Sequence, residues 1–482
     1  MEHETYQYLF PFEVVPKGAR VLIYGAGLVG QEYLKQLLTT GFCIPVGFID
    51  RNATQAPRLS IPVYPPEKIS GLSFDYVVIA LRTAIGVNSI RSLLQQYGVK
   101  NECVIFTGPR IEIPSIYFPD EGVNVISSFA FQKQCSVSFI FSVAGGLGDM
   151  IIQKKFIEEI IRLSPHCVID IFTAHMLDFL KFLYKESPNV NLVVLNMGVR
   201  YRKYLSQYAF GMSFDGSTRW SVDFLAPNKF TENSDVLLGK LRSLKEKYEK
   251  EMSSSHIPDY VFYSRRNYRK INCYEWLSFD GIFDIKDRWV DIPSILDFPS
   301  NLDVIIRNTF ITINSSAGNG GFEDKVAKMW PLKYWRTLLE ILHNTYPDIT
   351  VVQLGAKESF SLDGADHHIF GESFDIVSML LKKAMLHIDI EGGLVHLASQ
   401  LKTKCVVLFG PTSQAYFAYE NNINIVAGAC HGCCGLYSDI DRCARDMVEP
   451  ECMYKITPEL VMSKITEYME QIGYGRGGLH QK

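Results

Sequence analysis

Three times along this chain an apolar strand runs into a glycine turn and out into a helix, a pattern that admits little besides an α/β fold. The first is Arg20-Val-Leu-Ile-Tyr-Gly25-Ala-Gly27-Leu-Val-Gly30, with a helix from Gln31 to Thr40. The second is Phe139-Ile-Phe-Ser-Val-Ala-Gly-Gly-Leu-Gly-Asp-Met-Ile-Ile152, where Gly145, Gly146 and Gly148 precede Asp149 and a helix through Arg162. The third is Asp389-Ile-Glu-Gly-Gly-Leu-Val-His-Leu-Ala-Ser-Gln400, followed by the strand and loop Val406-Val-Leu-Phe-Gly-Pro-Thr412. Glycine lets the backbone turn tightly and approach a ligand, and the helix that follows aims its unpaired N–H groups and positive dipole end there. In an open parallel sheet such loops sit at the carboxyl ends of the strands, where ligands bind.

At 482 residues the chain has room for about three domains of roughly 150 residues each. Its composition, 47% hydrophobic and 21% charged, is that of a globular protein with large cores. A net charge of −4 disfavours a nucleic-acid partner. No apolar run approaches the roughly 18 to 20 residues of a membrane span, and Met1-Glu-His-Glu-Thr5 lacks the features of a signal peptide, so a cytoplasmic protein is expected. Cys43, Cys103, Cys135, Cys167, Cys273 and Cys405, scattered through apolar segments, read as buried reduced thiols.

Four signatures occur in order: Gly-Leu-Gly-Asp at 146–149, Lys-x-Trp-Pro at 328–331, Gly-Leu-x-His-Leu-Ala at 393–398 and Phe-Gly-Pro-Thr at 409–412. Together, over about residues 137–470, they resemble the bacterial glycosyltransferase family 9, the heptosyltransferases. The resemblance implies a two-lobed glycosyltransferase B-type fold of two facing Rossmann-like domains. It assigns an acceptor lobe to 119–300, a donor lobe to 301–455, and a C-terminal helix and tail, 456–482, packing back on the acceptor lobe. It also implies inverting, metal-independent transfer of a sugar, heptose above all, from a nucleotide diphosphate donor such as ADP-heptose. The acceptor would be a cell-surface glycan such as lipopolysaccharide, or a protein. Two positions depart from the family pattern: Glu391 replaces an aspartate, and Ser315-Ser316 replaces Pro-Gly. They keep open a second reading, an inactive nucleotide-binding or assembly protein on a transferase scaffold.

Glycosyl transfer needs a base for the acceptor hydroxyl and stabilisation of the leaving diphosphate. The family pattern makes Asp149 the base, although an aspartate after a glycine turn also reads as a helix cap. Lys328 is expected to pair with the diphosphate, or else to be a solvated lysine. Gly392, Gly393, Leu394, Gly410, Thr412 and Ser316 complete the expected donor site, with Glu391 on the sugar or ribose, and Gly146 and Gly148 form a phosphate or acceptor loop. No Asp-x-Asp motif stands where a catalytic divalent metal would be expected, so helix dipole and lysine are left to stabilise the leaving group and no catalytic cofactor is expected. His396 reads as a packed residue of an apolar helix. Arg265 and Arg266 read as acceptor contacts or solvent-facing charges.

Residues 1–118 read as a separate Rossmann-like domain. Gly25, Gly27 and Gly30 open its first helix, and Asp50 follows about 20 residues on, the dinucleotide-binding pattern with Asp50 on a ribose hydroxyl. The domain is too short for a complete dehydrogenase fold. With Val46-Gly-Phe-Ile-Asp50 and Ile61-Pro-Val63 it resembles the small domain in front of bacterial polysaccharide-biosynthesis enzymes, so it is expected to bind a nucleotide or to serve as a subunit contact. Three prolines in 107–119 mark the linker. Oligomeric state is left open, with a homo-oligomer among the options.

Five cysteines fall between Cys430 and Cys452. Cys430 and Cys433 form a Cys-x-x-Cys pair, and Cys443 and Cys452 complete four thiolates suited to structural zinc or iron, with Cys434 or His431 in reserve. Reduced cysteines in a loop tied by other contacts would look the same. The charged run Leu238–Met252 predicts an amphipathic helix, and Thr457 before Pro458 predicts the cap of a terminal helix to Ile472.

Overall fold

The computed structural model describes residues 8, 10–12, 14–53, 59–81, 86–107, 130, 137–173, 175–195, 201, 204–217, 219–230, 234–254, 271–294, 302–316, 327–434, 443–445, 447–475 and 478–479. They fall into two compact units, one within residues 1–126 and one within 127–482. The expected linker, from residue 108 on, and Cys135, Arg265 and Arg266 lie outside the described residues.

The first unit is a five-stranded parallel sheet of β1 (Arg20–Tyr24), β2 (Ile44–Ile49), β3 (Val63–Tyr64), β4 (Tyr76–Ile79) and β5 (Val104–Ile105), in the order β3-β2-β1-β4-β5. Its helices include α1 (Leu28–Thr40) and α2 (Val87–Gln96). Alternate residues of β1 enter different clusters, Val21 and Ile23 in one and Leu22 and Tyr24 in the other. Both faces of the sheet are therefore covered, which is why its strands read as continuous apolar runs. Gly25 takes φ +109, and a Cβ on Gly30 would overlap the Gly25 carbonyl, so glycine is needed both to turn the chain and to seat α1 against β1.

The second unit holds two sheets. In one, β6 (Ser138–Val143), β7 (Val168–Thr173), β8 (Val190–Leu195), β9 (Phe210–Asp215) and β10 (Arg219–Leu225) run in the order β10-β9-β6-β7-β8, with only β10 antiparallel to its neighbour. Its helices include α3 (Leu147–Leu163), α4 (Leu177–Tyr184) and the expected amphipathic α5 (Asp235–Ser254). In β10, Asp223 collects hydrogen bonds from the hydroxyls of Tyr201, Ser213 and Ser221, which ties the edge hairpin to its surroundings.

The other sheet is six-stranded and wholly parallel. It comprises β11 (Phe310–Asn314), β12 (Thr350–Gly355), β13 (His367–Phe370), β14 (His387–Ile390), β15 (Cys405–Leu408) and β16 (Ile423–Ile425), in the order β13-β12-β11-β14-β15-β16. With it go α6 (Leu332–Thr345), α7 (Phe374–Lys383), α8 (Gly393–Gln400) and α9 (Pro458–Gln471). The two lobes share one apolar cluster, in which Met150 and Phe156 of the first join Val395, Leu397 and Leu380 of the second. This is the two-lobed glycosyltransferase B-type fold.

Two expectations need correction. The terminal helix α9 has its Thr457 cap, but among the described residues it packs on the second lobe and not back on the first as expected: Val461, Met462, Ile465 and Met469 join the second lobe's core with Leu338 and Leu342 of α6. These apolar residues at helical spacing form one face that buries against the apolar face of α6. Cys103 is half-buried, whereas Cys43, Cys167, Cys273 and Cys405 are buried thiols.

Trp330 explains the Lys-x-Trp-Pro box. Its ring is fully buried edge-on to Trp335 at 4.9 Å, and its indole N–H donates to the Ile456 carbonyl at 2.7 Å, pinning the segment after Lys328 to the start of α9. Pro331 supplies the extended backbone from which α6 starts. Trp330→Phe strands that carbonyl and should lower the free energy of unfolding by about 1–3 kcal/mol in a urea titration.

Candidate active site

In an open α/β sheet, ligands bind where neighbouring connections leave in opposite directions. The first lobe has that point between β6 and β9, the second between β11 and β14. The loops after all four strands line one cavity of about 1150 Å³. Gly146, Gly148 and Asp149 reach it from the first lobe; Ser316, Lys328, Glu391, Gly392, Gly393, Leu394 and Thr412 reach it from the second.

The lobes meet most closely where the first turns of α3 and α8 cross. A Cβ on Gly148 would stand 2.5 Å from His396 Cδ2, and one on Gly393 would stand 2.7 Å from Leu147 Cβ. These two glycines are needed for the approach of one helix to the other, a role different from the loop contacts expected of them.

Asp149 is at the third position of α3 and performs the capping its sequence suggested: Oδ2 accepts from the Gly146 N–H at 2.7 Å. Its other oxygen accepts from the Ser217 N–H, also at 2.7 Å, across 68 residues of chain. Ser217 is in turn tied to the second lobe, because the Tyr416 hydroxyl donates to its carbonyl at 3.0 Å. Burial pushes the Asp149 carboxyl above the usual aspartate range, against the lowering pull of Gly146, Ser217 and the nearby His396. A carboxylate so raised is a stronger base than one in water, so cap and base are compatible roles.

His396 is the residue that sequence reasoning undervalued. It is buried, as expected, but it lines the cavity. Nδ1 is 2.9 Å from the Tyr419 hydroxyl, while Nε2 faces Glu391 at 3.6 Å. Tyr419 meets the Tyr274 hydroxyl at 2.8 Å, and Gln400 Nε2 donates to both and to the Arg288 carbonyl. Burial pushes the Glu391 carboxyl up, but His396 and the charge of Lys328 outweigh it and leave the group below the usual glutamate range. A histidine in the second turn of an apolar helix, directly after a glycine loop, was the available signal.

Thr412 is 6% exposed, yet its Oγ has no partner in hydrogen-bond geometry, although it stands near enough to Glu391 to help hold that carboxyl ionised. A buried hydroxyl of this kind at a cavity wall is one a ligand would satisfy. Gly410 departs from the set: it does not line the cavity, and a Cβ there would overlap Met453 Sδ. It is a packing glycine, made necessary by the short helical turn Glu451–Tyr454 that lies against it.

At and beneath the cavity floor lies a polar row that the motifs did not mark, with Asn314 reaching the cavity itself. Thr312 pairs with His387 and Asn314 with Asp389 across β11 and β14. Thr312 Oγ1 is 3.0 Å from His387 Nδ1, His387 Nε2 is 3.4 Å from Asp389, and Asn314 Nδ2 donates to both Asp389 oxygens at 3.2 Å. Asp389 is fully buried; burial raises its carboxyl, with His387, Asn314 and the charge of Lys328 pulling the other way.

In the first unit, Gly27 is open, with no heavy atom within 4 Å of a Cβ placed there, as a ligand-facing glycine requires. Asp50, however, already accepts from the Ala26 and Asn52 N–H groups at 2.8 and 2.9 Å. Among the described residues no group of three or more His, Cys, Asp or Glu stands in metal-binding geometry. Cys430, Cys433, Cys443 and Cys452 nevertheless lie close together: burial, then the three other thiols, push Cys452 up to about 12. Cys434, next to them, lines the cavity. No helix among the described residues is long and apolar enough to cross a membrane.

If Asp149 is the base, activity falls on the acid side as it is protonated, at a pH above the ordinary aspartate value. Ser217→Ala removes a hydroxyl that favours the ionised form, so the acid limb of kcat/KM against pH should move further up. By the same sign, the contribution of Asp149 to stability is complete below its unfolded pKa and is lost as pH rises through the raised folded value. An unmoved limb would exclude Asp149 as the titrating group.

Residues 311–434 match the family model described as glycosyltransferase family 9 (heptosyltransferase). No curated protein matches the chain. Among solved structures it is similar to E. coli ADP-heptose LPS heptosyltransferase II, at 15% identity over 69% of this chain and 99% of that one, TM-score 0.41. It is also similar to a family 9 glycosyl transferase from Veillonella parvula, at 12% identity over 70% and 98%, TM-score 0.44. A third is the iron-containing dodecameric glycosyltransferase TibC from enterotoxigenic E. coli, at 14% identity over 70% and 80%, TM-score 0.46.

Proposed function

We propose that this glycosyltransferase, residues 311–434 of which match the family 9 model, moves heptose from an ADP-linked donor to a surface glycan or protein hydroxyl with inversion. The observation that carries the reading is the single cavity in which Asp149 of one lobe faces Lys328, Glu391 and Thr412 of the other. Asp149, raised by burial and held from two sides, takes the proton of the acceptor hydroxyl as it attacks the anomeric carbon from the face opposite the leaving diphosphate. Lys328 lines the cavity without a hydrogen bond or ion pair among the described residues, and its charge is balanced by Asp389 and Glu391. With the first turn of α8 it offers the leaving diphosphate a cation and backbone donors, so no catalytic metal is called for. His396, held by Tyr419, keeps Glu391 ionised and aimed at a hydroxyl of the donor. In the first unit the open Gly27 supports a second nucleotide site.

Calorimetric titration with ADP, UDP, GDP, CMP and NAD tests both sites. ADP should bind, and Lys328→Ala should weaken it about 10- to 100-fold, the loss of a charge-assisted contact. Binding of NAD alone, abolished by Gly27→Val and untouched by Lys328→Ala, would overturn the donor assignment.

The four thiols, although not in metal-binding geometry among the described residues, are donor chemistry for a structural zinc or iron ion, which would draw them together and brace the segment beside Thr412 and Cys434; no step of transfer passes through it. Protein purified without chelator should carry about one metal ion per chain by elemental analysis, lost in Cys433→Ser together with several degrees of thermal stability. Folded, metal-free wild type of unchanged stability would exclude it.

A further inference from the structure

The polar row under the cavity floor determines what Ser316 offers a ligand. Asn314 has its amide orientation set twice over. Its Nδ2 donates to the Ser316 carbonyl at 3.0 Å and to Asp389, while its Oδ1 accepts from the Ser316 N–H at 3.3 Å. A backbone carbonyl only accepts and a backbone N–H only donates, so the amide cannot be turned around. The Ser316 hydroxyl donates to the same Oδ1 at 3.1 Å. Ser359 Oγ stands 3.5 Å away, in a longer contact in which either hydroxyl could be the donor. What Ser316 presents to the cavity it lines is a lone pair.

Resting on the donor site proposed above, we infer that Ser316 is a specificity residue that accepts a hydrogen bond from a hydroxyl of the sugar nucleotide, with Asn314 and Asp389 as the positioning residues that impose this polarity. A phosphate oxygen at the same point would meet lone pair with lone pair, so the diphosphate is left to Lys328 and the first turn of α8. The partner has the chemistry of a sugar hydroxyl, on the ribose or on the transferred sugar. Asp389 is built for the positioning task. It is fully buried, cross-strand from Asn314, whose Nδ2 donates to both its oxygens, and backed by His387 at 3.4 Å.

The test is a set of binding cycles by calorimetry with ADP, 2′-deoxy-ADP, 3′-deoxy-ADP, ADP-heptose and ADP-sugars lacking single sugar hydroxyls. One deletion should cost wild type about five- to tenfold in affinity, the loss of a neutral hydrogen bond, and cost Ser316→Ala nothing. Ser316→Thr, which keeps the hydroxyl, should keep the penalty, and Asp389→Asn should shrink it. A loss confined to a deoxy-ribose analogue assigns the ribose; a loss confined to a deoxysugar assigns the transferred sugar. Equal penalties in wild type and Ser316→Ala overturn the inference, as does weaker pyrophosphate binding in Ser316→Ala, which would make Ser316 a phosphate donor. An unchanged penalty in Asp389→Asn removes Asp389 from the device. ADP binding with a flat cycle sinks the Ser316 assignment alone, whereas no binding by any nucleotide sinks the transferase reading with it.

Discussion

The crossing of two helix starts, α3 at Leu147-Gly148 and α8 at Gly393, is the constraint on which the site depends. A side chain on either glycine would push the lobes apart, because His396 and Leu147 already occupy the space. With both absent, Asp149 is brought to the loop of Glu391 and Gly392, and the positive ends of two helices face one cavity. The same contact buries Asp149 and His396, so the closeness that assembles the site also raises the Asp149 carboxyl and sets the charge beside it.

A second feature runs against the usual character of a parallel sheet, whose strands are apolar on both faces. In β11 and β14 every second residue is polar: Thr312, Asn314 and then Ser316; His387, Asp389 and then Glu391. The alternation of strand side chains puts these on one face, leading from the core to the cavity. Burying such a row costs desolvation free energy that a Leu or Val would not. Its members are hydrogen-bonded to one another, and the row ends at the second lobe's wall of the cavity. Fixed orientation of the floor is what this arrangement provides.

Much of the chemistry was legible in the sequence because it resides in local devices. A glycine turn, an aspartate three residues into a helix and a lysine before a Trp-Pro helix start each have a local physical signature, and most of these residues meet at one cavity. Gly410 was misassigned because a glycine forced by packing against Met453 and one forced by a ligand look alike in one dimension. Ser217 and Tyr419 were missed because each acts across tens to hundreds of residues on a partner the chain order does not name. His396 was visible but discounted, since burial among leucines is what a core histidine also shows.

By itself the sequence determined three strand–turn–helix units, the α/β class, the residue types available for transfer, and the cap of the terminal helix, all of which follow from periodicity and from the backbone freedom of glycine. Tertiary structure decided that α9 packs on the second lobe, that Gly148 and Gly393 are spacers between helices, and that the Ser316 hydroxyl is engaged by Asn314. Those outcomes depend on which surfaces meet and on which neighbour takes a proton, and neither is encoded within the span of one turn of chain.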